Sequence, residues 1–219
     1  MGTTVRGLLQ QGNTKLGTAI HVWSIPAVTT CPGRTSICEG CCYATRHRFR
    51  FDSVKERLDW NLEQTKRDDF CDRMVKEVRR KGVLVLRVHT SGDFMDRVYA
   101  ERWLWIMKKV SRPRYYWYTR SWRIPEIAEV LEKMAALKQV RGWYSTDSET
   151  GTPERIPKRI KVAYLQVDED TPPKPADLVF RVRRLRKLPR PRIGLTVLPL
   201  CPNEVNSEVS CGSCQRCFA

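Results

Sequence analysis

Residues 83–94 read VLVLRVHTSGDF, and the fold follows from how that stretch begins and ends. From Val83 to Val88 it is a short apolar run rich in branched residues, the pattern of a strand buried on both faces. It stops at His89-Thr90-Ser91-Gly92-Asp93, and helical spacing starts soon after. Asp96 is placed to cap a helix through Val110, with Trp103, Leu104, Ile106 and Met107 on its apolar side and Pro113 as its stop. A second strand is predicted over 115–119. Pro125 then opens another helix, with Ile127, Val130, Leu131, Met134 and Leu137 at helical spacing, and a third strand is predicted over 142–145.

Working outward, further strands are predicted over 162–167, 178–182 and 193–198, separated by an acidic, proline-rich hinge over 168–177 and by a basic run. Upstream, Ser53-Val54-Lys55-Glu56 has the form of a capping box opening one long helix or two, which Gly82 ends. Strand, helix, strand, helix, strand implies parallel pairing with right-handed crossovers. The expected fold is therefore α/β, a parallel-stranded partial (β/α) barrel with irregular cysteine-rich N- and C-terminal segments. One domain spans 1–219: a cysteine-bearing loop region over 1–52, an α/β core over 53–200 and a cysteine-rich tail over 201–219.

In such folds chemistry collects at the C-terminal ends of the strands. Here those ends read His89 to Asp93, Thr119-Arg120-Ser121, Ser145-Thr146-Asp147 and Gln166-Val167-Asp168, so a shared site is expected among them. His89 and Asp93 are its candidate catalytic residues, and Asp93, Asp147 and Asp168 can serve as acid, base or cation ligand.

The nine cysteines fall in two knots and one outlier. The chain carries no apolar stretch long enough to span a bilayer, and its first ten residues, MGTTVRGLLQ, lack a secretory apolar core. A cytoplasmic setting is expected, where thiols stay reduced and serve as metal ligands rather than disulfides. The terminal run Cys211, Cys214, Cys217 has the successive two-residue gaps of iron–sulfur loops. With Cys201 it can complete one [4Fe–4S] cluster or, alternatively, one tetrahedral zinc site. The first knot offers Cys31, Cys38 and Cys42, with Cys41 as the alternative to Cys42, since adjacent cysteines rarely both reach one cluster. Three ligands leave one iron open to a small molecule or to a fourth cysteine from the tail. Cys71, beside Phe70 and Met74, reads as an apolar core residue.

A formal charge of +16, from 40 Lys and Arg against 24 Asp and Glu, makes nucleic acid the expected partner. The candidate contacts are Arg181, Arg183, Arg184, Arg186, Lys187, Arg190 and Arg192, a run without an acidic residue. A second basic patch, Arg46-His47-Arg48-Phe49-Arg50, follows the first cysteine knot directly.

Taken together, 12–17 (GNTKLG), Thr30-Cys31-Pro32-Gly33, Cys38 with Cys42-Tyr43-Ala44, 88–94 (VHTSGDF), 118–121 (YTRS) and the terminal cysteines resemble the gene product 88 family of phages and actinobacteria, over nearly the whole chain. That resemblance implies a phage-infected or actinobacterial cell. More distantly, three cysteines ending in Cys-Tyr-Ala ahead of alternating strands and helices are similar to radical S-adenosylmethionine enzymes. This similarity implies a four-iron cluster on the first three cysteines, with Ser91, Gly92 and Asp93 in the place of the segment that holds the methionine amine of S-adenosylmethionine. The chain departs from that pattern in its six-residue first gap, and no clear strand is predicted ahead of Cys31.

Overall fold

Seven strands form one sheet whose spatial order is the order of the chain. The structure, a computed structural model, describes residues 6–169, 176–188 and 199–219, with the backbone alone at 192–193 and 196–197. Its elements are β1 (Gln10–Gln11), β2 (Ile20–Trp23), α1 (Ser36–Gly40), α2 (Asp52–Thr65), α3 (Phe70–Arg80), β3 (Val85–Val88), α4 (Arg97–Lys109), β4 (Arg114–Thr119), α5 (Pro125–Ala135), β5 (Val140–Thr146), β6 (Ile160–Gln166) and β7 (Leu178–Arg181). Two short strands follow, β8 (Arg192–Ile193) and β9 (Thr196–Val197), then α6 (Pro202–Val205) and α7 (Cys211–Cys214). Strands β2 to β7 run parallel, with Trp23 level with Val88 and Val88 level with Trp117; β1 is antiparallel to β2.

The sheet separates two layers because side chains alternate across it. Trp23, Leu86, Val88, Tyr115, Trp117 and Tyr144 face helices α3 to α5 in the main core. Ile20, Val22, Tyr116 and Tyr118 face the opposite way, where the C-terminal tail lies. Helix α4 starts as expected: the Asp96 side chain accepts from the Tyr99 N–H, and α5 carries Pro125 in its first turn.

Three expectations need correction. The segment 1–52 is not irregular throughout: β2 precedes Cys31 and pairs along its whole length with β3. At four residues it is too brief to reveal its period against the surrounding glycines and prolines. The capping box fails, because the chain enters α2 at Phe51 and Ser53 already lies inside the helix. The segment 193–198 does not extend the main sheet; β8 and β9 pair with each other, and Leu198 lies outside the described residues, as does most of the 168–177 hinge.

The tail instead reaches the sheet at Leu200, which bridges to Val179 of β7, and Cys201 N–H bonds Val179 O at 3.0 Å. Further on, Cys211 N–H donates to Lys15 O (2.8 Å) and Gly212 N–H to Leu16 O (3.0 Å), in the loop between β1 and β2. The last 19 residues thus run from one edge of the sheet to the other across the face opposite α3 to α5. Lys15 Nζ stands 5.7 Å from the centroid of the Phe180 ring of β7, so the two edges approach each other under the tail.

Candidate metal centres

The first cysteine knot is seated on the C-terminal ends of β4 and β5. Thr35 caps α1, accepting from the Cys38 N–H, and donates its own hydroxyl to Asp147 Oδ2 at 2.7 Å. Asp147 is fully buried and pairs with Arg120 Nη1 at 2.7 Å, and its other oxygen accepts the N–H groups of Glu149 and Thr150. Glu149 in turn accepts from the Ser36 hydroxyl and the Ile37 N–H. Gly33 lies so close to β4 that a Cβ there would stand 2.0 Å from Arg120 O, so only glycine permits the contact.

Within this knot Cys31, Cys38 and Cys42 are mutual neighbours. Cys41 neighbours Cys38 and Cys42 as well, and lies near Arg120, Arg46 and Asp147. Burial, and then the charge of Asp93, push the Cys31 thiol up to about 12; burial also raises Cys38, opposed by the nearby Arg120 cation.

The tail cysteines form a second group under the sheet. Cys201, Cys211, Cys214 and Cys217 line one small pocket, together with Leu178, Pro202 and Arg216; its cavity volume is about 20 Å³. The Tyr118 hydroxyl donates to Cys217 Sγ at 2.8 Å, and Trp143 Nε1–H donates to Cys217 O at 3.0 Å. Tyr118 stacks on Trp143 with centroids 5.5 Å apart. Arg87 of β3 lies between the two groups: its guanidinium is 5.4 Å from the Tyr118 ring, its charge reaches Cys211, and it faces Tyr43, which neighbours Cys42, Cys38 and Cys31. No three His, Cys, Asp or Glu side chains among the described residues are gathered as a single metal ion requires.

Sequence reasoning missed Arg120 as a partner of the cysteine loop, and Tyr118 and Arg87 as neighbours of the tail thiols. Tyr118 and Arg87 project from strands and Arg120 directly follows β4, at positions that local periodicity reads only as in or out.

Other candidates are placed differently. His89 is 3% exposed, its Nε2 is 2.9 Å from the Tyr99 hydroxyl, and its ring packs edge-on to Phe94 in the helix-side core. Burial, and then the Arg87 charge, hold it down at about 3, so it stays neutral and has the surroundings of a core residue. Asp93 bonds the Thr119 hydroxyl (2.5 Å) and the N–H groups of Phe94 and Arg120, which ties the loop after β3 to the end of β4. The Ser91 hydroxyl donates to Ile25 O, and Gly92 adopts φ +77° with Ile25 and Thr30 packed against it. Asp168 is half-buried at the end of β6. Cys71 packs against the helix-side core, apart from both thiol groups.

The basic run is only partly a surface. Arg181 is 4% exposed, with its guanidinium on Leu188 O and Arg186 O. Arg186 pairs with Glu204 at 2.8 Å and Arg184 bonds Val167 O. Arg183 and Lys187 are exposed, while the side chains of Arg190 and Arg192 lie outside the described residues.

The His89 environment fixes the sign of one pH dependence. Its folded value, about 3, lies below the ordinary 6.5, so the unfolded chain binds the extra proton between those limits and stability falls as pH drops through that window. His89→Asn, a residue that tolerates the left-handed φ of +67° at this position, removes the titration. Urea unfolding at pH 7 and pH 5 should then show the acid loss reduced by about 2 kcal/mol relative to the parent chain.

The family model for Gene product 88 matches residues 7–219, so the chain belongs to that family. No curated protein and no solved structure matches it.

Proposed function

We propose that this member of the Gene product 88 family is a two-cluster iron–sulfur protein, built on a parallel partial (β/α) barrel, that works on nucleic acid. The first cluster is held by Cys31, Cys38 and Cys42 at the strand ends, and the second by Cys201, Cys211, Cys214 and Cys217 beneath the sheet. What supports this reading is that Cys201, Cys211, Cys214 and Cys217 line one pocket beneath the sheet, while Cys31, Cys38, Cys41 and Cys42 gather at the strand ends, Cys41 standing as the alternative to Cys42. A tetrahedral zinc ion with bonds of about 2.3 Å needs its sulfurs about 3.8 Å apart, whereas an iron–sulfur core spreads them more widely. The four tail thiols line one pocket, and three of them follow one another at two-residue gaps, the spacing of iron–sulfur loops.

The two sites differ in what they can do. Four thiolates complete a cluster and confine it to electron transfer, sensing or structure; three leave one iron with a free position able to bind or polarise a small molecule. At the first site this chain supplies the Arg120 cation next to Cys38 and Cys41, which offsets thiolate charge, while Asp147 and Glu149 hold the loop that carries the ligands. At the second, Tyr118 donates a hydrogen bond to a ligand sulfur.

A second reading places S-adenosylmethionine at the open iron. It is favoured by β2, the strand that runs ahead of the cysteine loop, and by the Ser91-Gly92-Asp93 loop after the next strand. Against it, Ser91 and Asp93 already bond Ile25, Thr119, Phe94 and Arg120, so an amine would need another acceptor.

Iron, sulfide and zinc counted per chain after oxygen-free purification test the proposal. Two clusters give about eight iron and eight sulfide; zinc without iron overturns it. Tyr118→Phe removes the O–H···S bond at small steric cost. The tail cluster should keep its iron and shift to a lower reduction potential, read by redox titration with electron paramagnetic resonance detection.

A further inference from the structure

We infer that single-stranded nucleic acid is bound by the ridge over 43–51, the two 3-10 turns that link the first cysteine knot to α2, and not by the basic run over 181–192. This rests on the nucleic-acid part of the reading above and not on its metal part. The ridge consists of the turns Tyr43–Thr45 and His47–Arg50. Arg46, His47, Arg48 and Arg50 are all exposed; Arg46 bonds Gly40 O, and among the described residues none of these arginines is in an ion pair with an acidic side chain. In the 181–192 run, by contrast, Arg181 is interior, Arg186 is paired with Glu204 and Arg184 is committed to a carbonyl. Arg48 and Arg50 thus keep their charge in water beside the first thiol group, next to exposed rings that the described part of the 181–192 run lacks.

Two aromatic rings stand among these cations. Tyr43 is 57% exposed although its hydroxyl turns inward onto Thr90 O, and Phe51 is 62% exposed. Tyr43 meets the partly buried Phe49 in a T-shaped contact at 5.9 Å and still keeps more than half of its surface in water. Exposed ring faces beside arginines match unpaired bases joined by phosphates, since stacking needs a base out of the duplex while the arginines track the backbone. An anionic membrane would use the charge but gains little from two isolated rings, and a duplex has no free base face to offer them. Tyr43 directly follows Cys42, so a strand laid on the ridge passes next to the open end of the first site.

The test is fluorescence anisotropy of the purified full chain with a labelled single-stranded 20-mer, the matching duplex and vesicles of anionic phospholipid, with iron counted in each sample. Arg48→Ala with Arg50→Ala and Phe51→Ala should weaken single-strand binding at least tenfold. The slope of log affinity against log salt should fall by about 1.4, for two lost phosphate contacts. Arg183→Ala with Lys187→Ala should change binding less than twofold. The reverse ranking, equal affinity for the duplex, or binding to vesicles alone overturns the inference. Iron-free protein that still binds through the ridge supports it while refuting the cluster reading, and iron-replete protein that ignores the 20-mer does the opposite.

Discussion

Asp147→Ala should destabilise the protein by about 3–5 kcal/mol, the cost of leaving one member of a buried ion pair without its partner. Asp147 is fully buried and Arg120 is 6% exposed, so water cannot replace the 2.7 Å contact between them. The same carboxylate takes the Thr35 hydroxyl and two backbone N–H groups, and Thr35 caps the short helix that presents Cys38. The loss should therefore reach the first thiol group: the urea midpoint falls with an unchanged slope, and iron at that site falls with it. Asp147→Asn, which keeps the shape but not the charge, should fall between parent and alanine variant and guards against a chain that fails to fold. A loss below 1 kcal/mol in the alanine variant would show that the Arg120 pair does not hold this loop.

Serine at Cys31, Cys38 and Cys42 together should lower iron from about eight to about four per chain, and serine at Cys211, Cys214 and Cys217 should do the same, independently. Independence is expected on the two-cluster proposal, because the first group neighbours Asp93 and Arg120 at the strand ends and the second lines a pocket beside Tyr118 beneath the sheet. If either triple variant removed all the iron, the two ends of the chain would share one cluster. Cys71→Ser and Cys41→Ser serve as controls expected to keep the full iron content. A fall to about four iron at Cys41→Ser would exchange its role with Cys42. Removing the tail cluster should also lower stability, since the tail ties Val179 of β7 to Lys15 and Leu16 across the sheet and ligand binding adds folding free energy.

Much of the fold could be read from local pattern. The apolar runs around 85–88, 114–119, 140–146 and 160–166 emerged as parallel strands, and Asp96 and Pro125 start the helices expected of them. These features are legible because periodicity, capping and proline placement act within a few residues. The short β2 strand escaped because four residues carry too little period, and Ser53 misled because a capping box competes with the way the chain enters from Phe51.

By itself, the order of residues determined the alternation of strands and helices, the excess of positive charge and the spacing of the thiols. Only the tertiary structure decided which of those groups meet. Asp147 reaches Thr35 across 112 residues of chain, the tail reaches Lys15, Arg181 and His89 turn inward, and the arginines of the 43–51 ridge stay in water. Such pairings depend on strand register and on the path of loops across the sheet, and they are selected by burial over the whole molecule rather than by any neighbour in sequence.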